Sequence, residues 1–220
     1  GGLKTSIERV PIVPNPANQL QIIMKKTLKI IGILILMLIL FRGSIYRRII
    51  KYNEIGTRPE IEITNRNLIE RIESESANKR IGLKELADVA IEITNKELVF
   101  TTNRASNNPN ELMNTKQANC VGYSAMFNSI AKYLIRKNEL QNEIEAEHKI
   151  GQLELFGVNL HQYFENPFFR DHDFNEIIDK RTGNKISIDP SVSDCLCINR
   201  VARNEKRYRR RKVVLNDSRL

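Results

Sequence analysis

Residues 172–190 read HDFNEIIDKRTGNKISIDP, and this stretch decides the fold. His172 to Ile178 and Lys185 to Asp189 are short runs rich in strand formers. Between them lies Asp179-Lys180-Arg181-Thr182-Gly183-Asn184, a cluster of turn formers. The stretch therefore reads as a β-hairpin. Pairing His172 with Asp189 would put the turn midway between residues 180 and 181, inside that cluster. The imidazole and the carboxylate would then be cross-strand neighbours, with Cβ atoms about 5 Å apart.

Upstream, Ile144, Ala146, His148 and Ile150 alternate with Glu143, Glu145, Glu147 and Lys149, the period of a half-buried strand. Leu153 to Phe156 and Val158 to Leu160 read as the next strand. Before the strands come helices. Leu83, Leu86, Ala87, Ala90, Ile91 and Thr94 fall at helical spacing and predict an amphipathic helix over 83–96. Residues 101–114, rich in Asn and containing Pro109, read as a loop. A second helix starts at Cys120, with Asn119 in the N-cap position and Cys120, Tyr123, Phe127, Ile130, Ala131 and Leu134 forming one stripe. Helices followed by antiparallel strands predict an α+β fold. There are no internal repeats.

Cys120 carries the chemistry. A thiol in the first turn of a helix meets unpaired backbone N–H groups and the positive dipole end, where an anion is favoured, and the thiolate is the nucleophile. A small buried hydrophobe at the end of the stripe would look the same from position alone. A cysteine nucleophile also needs a base, and the base needs an orienting group. The hairpin supplies both, as His172 and Asp189. The expected catalytic group is thus Cys120, His172 and Asp189.

Three motifs then resemble those of a known family. Asn119-Cys120-Val121-Gly122-Tyr123-Ser124-Ala125, His172-Asp173-Phe174-Asn175-Glu176 and Ile188-Asp189-Pro190 are similar to the core motifs of the transglutaminase-like superfamily. That superfamily uses a Cys opening a helix, a strand His with an aromatic two positions on, and a following strand ending in Asp-Pro. Order and spacing agree, with 52 residues from Cys to His and 17 from His to Asp. The resemblance covers roughly residues 80–195. It implies a papain-like fold, with the nucleophile helix packed on an antiparallel sheet, and acyl transfer from a peptide or amide carbonyl through a thioester. The acceptor is water in proteases and amidases and an amine in cross-linking enzymes. Family members often carry Trp beside the Cys or after the His, whereas this chain has no Trp and places Phe174 in the second position. An indole oxyanion donor is therefore missing. The Cys120 backbone N–H can serve, with Gln117 or Asn119 as candidate second donors.

The other polar residues have plainer readings. His148 lies on the apolar face of its strand and reads as a core histidine satisfied by a neighbour. His161 sits near Tyr163, Phe164, Phe168 and Phe169, in a cleft wall or a packed loop. No His/Cys spacing matches a structural zinc site, and Cys195-Leu196-Cys197 lacks partners for one. The sequence calls for no metal and no cofactor.

The 220 residues suffice for one domain with appended segments. Three cysteines, two of them separated by one residue, exclude a disulfide scaffold. The charge is uneven: residues 1–51 carry +8, residues 200–220 carry +7 and residues 52–199 carry −6. An acidic body with basic ends argues against a nucleic-acid partner. The 23 asparagines point to an AT-rich coding sequence and so to a bacterium.

Residues 1–23 contain three prolines and precede Met24-Lys25-Lys26, which resembles a translation start, so they read as a leader or extension. Residues 24–51 hold the apolar run Ile30 to Phe41 between basic flanks. Twelve residues fall short of the roughly 20 needed to span a bilayer, but Lys29 can snorkel and Leu28, Ile45 and Tyr46 lengthen the run. A signal peptide and a buried core helix share this grammar. The absence of both a small-x-small cleavage site and a polar face favours a single-pass membrane anchor. The flanks do not fix its orientation. Residues 52–199 form the expected catalytic domain. Residues 200–220 form a basic tail, solvated or in contact with anionic lipid. Two functions stay open: a membrane-tethered protease or amidase acting on a peptide or protein substrate, and a catalytically idle binding or scaffold domain at the membrane.

Overall fold

The structure is a computed structural model that describes residues 16–164 and 171–204. The chain divides into two compact units, Gly1–Arg42 and Gly43–Leu220. Helix α1 (Pro16–Ile49) begins before Met24, so the later part of the segment set aside as an extension is helical. Within it, Met24–Ile49 is long and apolar enough to cross a membrane, and the side chains of Ile30 to Phe41 are exposed apart from Gly32. Twenty-six residues rise about 39 Å, more than a hydrocarbon core of about 30 Å.

The second unit is mixed α+β. Strand β1 (Ile50–Arg58) follows α1 directly. Then come α2 (Arg66–Ser76), α3 (Leu83–Glu97), β2 (Val99–Phe100), α4 (Pro109–Thr115), β3 (Gln117–Ala118) and α5 (Cys120–Lys137). The chain ends with β4 (Ile144–Leu155), β5 (Val158–Asn159), β6 (His172–Asp179), β7 (Lys185–Ile188) and α6 (Pro190–Leu196). The main sheet is antiparallel with order β1-β4-β6-β7, and β5 pairs with β4. On one face α5 and the earlier helices bury Leu86, Tyr123, Phe127, Ile130, Leu134 and Ile177 in the main core. On the other, Tyr52, Leu153, Phe174 and Val201 make a smaller cluster.

The structure departs from the sequence pattern in five places, each for a local reason. The region 101–114 contains α4, started by the Asn108 side chain accepting from Asn110 N and by Pro109 at the first helical position. Leu153 to Leu155 continue β4 instead of opening a new strand. Gly151 lets the strand run on, because a Cβ there would come within 2.9 Å of the Phe174 ring. The strict alternation ends where β1 bulges between Glu54 and Gly56, opposite Gly151 and Ile150. There Lys149 is buried and satisfied by Glu54 at 3.0 Å and Glu147 at 2.7 Å.

The hairpin register also differs. Ile178 pairs with Lys185 and Asn175 with Ile188, so the turn centres one residue later than expected. Asp179 accounts for this: its Oδ1 accepts from Arg181 N and Thr182 N, and its carbonyl accepts from Gly183 N, a glycine at φ +73°. His172 therefore does not pair with Asp189. The slip is by two residues, which preserves the face each side chain occupies. Asp189 becomes a diagonal neighbour of His172.

Finally, both ends of the domain extend further than the pattern suggested. Strand β1 begins before residue 52, and Tyr52 is fully buried. At the other end, the start of the basic tail is packed. Val201 is buried, Tyr52 N donates to the Ala202 carbonyl, and Arg203 pairs with Glu54 and with the buried Glu176. Residues 205–220, most of the tail, lie outside the described residues.

Candidate active site

Cys120 is the first residue of α5 and is 5% exposed. Asn119 caps the helix, its Oδ1 accepting from Val121 N at 3.1 Å and Gly122 N at 3.3 Å. That cap fixes the thiol over the end where backbone N–H groups converge. Two residues on, only glycine fits. A Cβ on Gly122 would lie 2.9 Å from both the Ser106 carbonyl oxygen and the Ala118 Cβ. The chain before α5 thus lies directly against the helix's first turn.

His172 opens β6 opposite Gly151 and is buried. Its Nε2 lies 2.5 Å from Asp189 Oδ2. The Cys120 thiol is near enough to act on the ring, and with Nε2 held by Asp189 the nitrogen left for sulfur is Nδ1. Burial works against a charged ring. The Asp189 charge and hydrogen bond, helped by Cys120, outweigh it and hold the imidazole well above its ordinary value.

Asp189 is fully buried and fully engaged. Oδ2 accepts from His172 and from the Tyr52 hydroxyl at 2.8 Å. Oδ1 caps α6, accepting from Ser191 N at 3.0 Å, Ser191 Oγ at 2.7 Å and Val192 N at 3.1 Å. Burial pushes the carboxyl up, but His172, Ser191 and Tyr52 reverse this and keep it below the usual carboxylate range. Pro190 at the first helical position helps start α6 just after the aspartate. The Asp-Pro pair therefore does local work: the same carboxylate caps a helix and orients a histidine.

Sequence reasoning missed the support behind this group. Tyr52 packs edge-on to His172, with ring centroids 5.9 Å apart, and its hydroxyl meets that of Tyr46 at 2.8 Å. Burial, then the Asp189 charge, drives the Tyr52 phenol upward, so it remains a donor. Nothing in Lys51-Tyr52-Asn53-Glu54 shows strand alternation, because the consecutive residues Tyr52 and Asn53 are both buried. A second cluster lies beside the first. Asp173 accepts from Arg58 Nε at 2.5 Å and Arg58 Nη2 at 3.2 Å, and its Oδ2 lies 2.7 Å from His148 Nε2. His148 is thus the core histidine the pattern suggested. Arg58 is near enough to Cys120 for their charges to interact.

No family model, curated protein or solved structure matches the chain. The geometry stands on its own.

The two expected oxyanion donors are placed differently. Gln117 is exposed on β3, paired with Val99, whereas Asn119 adjoins Cys120 and caps α5 through its side-chain oxygen, leaving its amide nitrogen as the donor. His161 sits in a 3-10 turn, its Nδ1 3.2 Å from Asp171 Oδ1. Tyr163 and Phe164 are exposed, while Phe168 and Phe169 lie outside the described residues. Cys195 and Cys197 are exposed at the end of α6. Among the described residues, no group of three His, Cys, Asp or Glu side chains is placed to hold a metal ion.

Proposed function

We propose that the chain is a membrane-tethered cysteine acyl-transfer enzyme, a protease or amidase of transglutaminase-like, papain-like architecture. One observation carries this reading: a helix-start thiol lies beside a buried imidazole whose Nε2 is held by a buried, fully satisfied carboxylate. The charge arrangement suits a thiolate–imidazolium pair, since Asp189 stabilises the charged ring. The Cys120 sulfur attacks a peptide or amide carbonyl carbon and forms the S–C bond. His172 delivers the proton taken from the thiol to the leaving nitrogen as the C–N bond breaks. Water then attacks the thioester, giving one proton through His172 back to the thiol and releasing the acid. The Cys120 backbone N–H is the proposed oxyanion donor. Helix α1, with its apolar Met24–Ile49 stretch, is the proposed tether, and anionic lipid is the proposed partner of the basic tail.

A second reading, an idle scaffold domain at the membrane, is favoured by the low exposure of Cys120. Incubating the detergent-solubilised full chain with a peptide library separates the two. New termini or deamidated side chains that depend on Cys120 support the enzyme. Identical peptide profiles from wild type and Cys120→Ala would leave only the scaffold.

A further inference from the structure

A cavity of about 110 Å³ lies between α5 and the end of β1. Ala125, Asn128 and His148 line it from the buried side, and Arg58, Pro59 and Asn107 from the solvent side, where Pro59 and Asn107 are exposed. Such a volume holds a few waters or one short side chain. Asn128 is 2% exposed and its Oδ1 has no hydrogen-bond partner. A buried amide oxygen left unsatisfied keeps its full desolvation cost, so an occupant that donates a hydrogen bond would recover it.

The charges define what fits. Arg58 is the cation of the wall, and it is already neutralised by its two hydrogen bonds to Asp173. The same carboxylate also engages His148. What remains is amide chemistry from Asn107 and Asn128, with three apolar walls at Pro59, Ile61 and Ala125. A neutral group with both a donor and an acceptor complements this lining.

The position relative to the nucleophile sets the register. At 1.5 Å per residue, Ala125 and Asn128 lie about 7.5 and 12 Å along α5 from Cys120. An extended peptide covers about 3.3 Å per residue, so a chain with its carbonyl at the thiol reaches the cavity two to four residues away. The reacting carbonyl itself cannot be what occupies it.

We infer that this cavity is a specificity subsite for a short neutral polar side chain (Ser, Thr or Asn) two to four residues from the reacting carbonyl of a peptide substrate. The inference rests on the acyl-transfer reading for its register, but its test does not require turnover. Full-length Cys120→Ala protein in detergent micelles would be examined by saturation-transfer NMR with the N-acetyl amides of serine, asparagine, alanine and aspartate. The serine and asparagine probes should show transfer several-fold above alanine. Asn128→Leu should reduce them to the alanine level. Leu keeps the branched shape of Asn, removes an unsatisfied buried oxygen and can place its extra volume in the cavity, so the melting temperature should not fall. Ala125→Met, which fills the cavity from the opposite wall, should have the same effect on binding. Equal transfer from serine and alanine, or retained preference in both variants, would overturn the subsite. A preference for aspartate over asparagine would also overturn it, showing that Arg58 recruits anions. Peptide profiling of the wild type tests catalysis separately, so loss of turnover and loss of binding are distinguishable.

Discussion

Asp189→Asn is the most informative single substitution, because the structure dictates how the amide must sit. Ser191 N and Val192 N both need an acceptor at the start of α6, so the amide oxygen takes the Oδ1 position. The amide nitrogen then occupies the Oδ2 position, facing His172 Nε2 and the Tyr52 hydroxyl. An N–H there donates to Nε2 and moves the ring proton to Nδ1, the nitrogen that faces the thiol. That tautomer cannot accept the thiol proton, and the charge that stabilises the imidazolium is gone. The same substitution in a Ser-His-Asp triad lowers turnover by about 10⁴, and a similar loss here corresponds to about 5 kcal/mol in the barrier. Stability should suffer less. The two hydrogen bonds at the Oδ2 position change most, since the one to His172 reverses and the Tyr52 hydroxyl must turn to accept, while the three at Oδ1 keep their geometry without the charge, a net loss of about 1–3 kcal/mol in urea unfolding. The assay is the rate of Cys120 alkylation by iodoacetamide at pH 7, read by peptide mass spectrometry on full-length protein. The rate should fall by orders of magnitude while the urea midpoint shifts modestly. An alkylation rate within about threefold of wild type, under 1 kcal/mol, would show that Asp189 does not control the ring.

Tyr52→Phe keeps the ring contacts but removes one donor to Asp189. It should lower the unfolding free energy by about 1.5–3 kcal/mol, the loss of a hydrogen bond to a buried charge. The pair His172–Asp189 makes stability pH-dependent in two directions. The raised imidazole contributes stability that is complete below its unfolded value of about 6.5 and is lost as pH rises through its folded value. The lowered carboxyl contributes stability present above about 3.9 and lost as pH falls through its folded value. Urea midpoints of wild type against His172→Asn should therefore differ more at pH 5.5 than at pH 9.5. A chain starting at Gly43 should be soluble and cooperative in unfolding, whereas one starting at Asn53 should not. The latter lacks Tyr52 and the first residues of β1, and circular dichroism melts distinguish them.

The positions of Cys120 and Asp189 are legible because their signals are local. Asn119 before Cys120 announces a cap, and Asp189-Pro190 announces another, so both positions follow from helix chemistry. The hairpin was legible from Asp179 to Asn184, although its register depended on how many turn residues Asp179 captures, which spacing does not reveal. Strand β1 was illegible for a different reason. Tyr52 and Asn53 are both buried, which hides the alternation, and Tyr52 meets Asp189, His172 and Phe174, all more than a hundred positions away. Arg58 and Asp173 share that non-local character. Asp173 stands next to His172 in the sequence, but only folding shows that it serves His148 and Arg58 instead.

The central claim is that Cys120 is an activated nucleophile, and its alkylation profile tests it most directly. Full-length protein would be treated with iodoacetamide from pH 5 to pH 9, and each cysteine followed by mass spectrometry. Burial and the neighbouring Asp194 push the Cys195 thiol up, so it serves as an internal slow reference. Cys120 should react far faster than Cys195 and Cys197 below pH 8, and His172→Ala should remove the advantage. A Cys120 rate that is no greater than those of Cys195 and Cys197 below pH 8, and unchanged by His172→Ala, would contradict it.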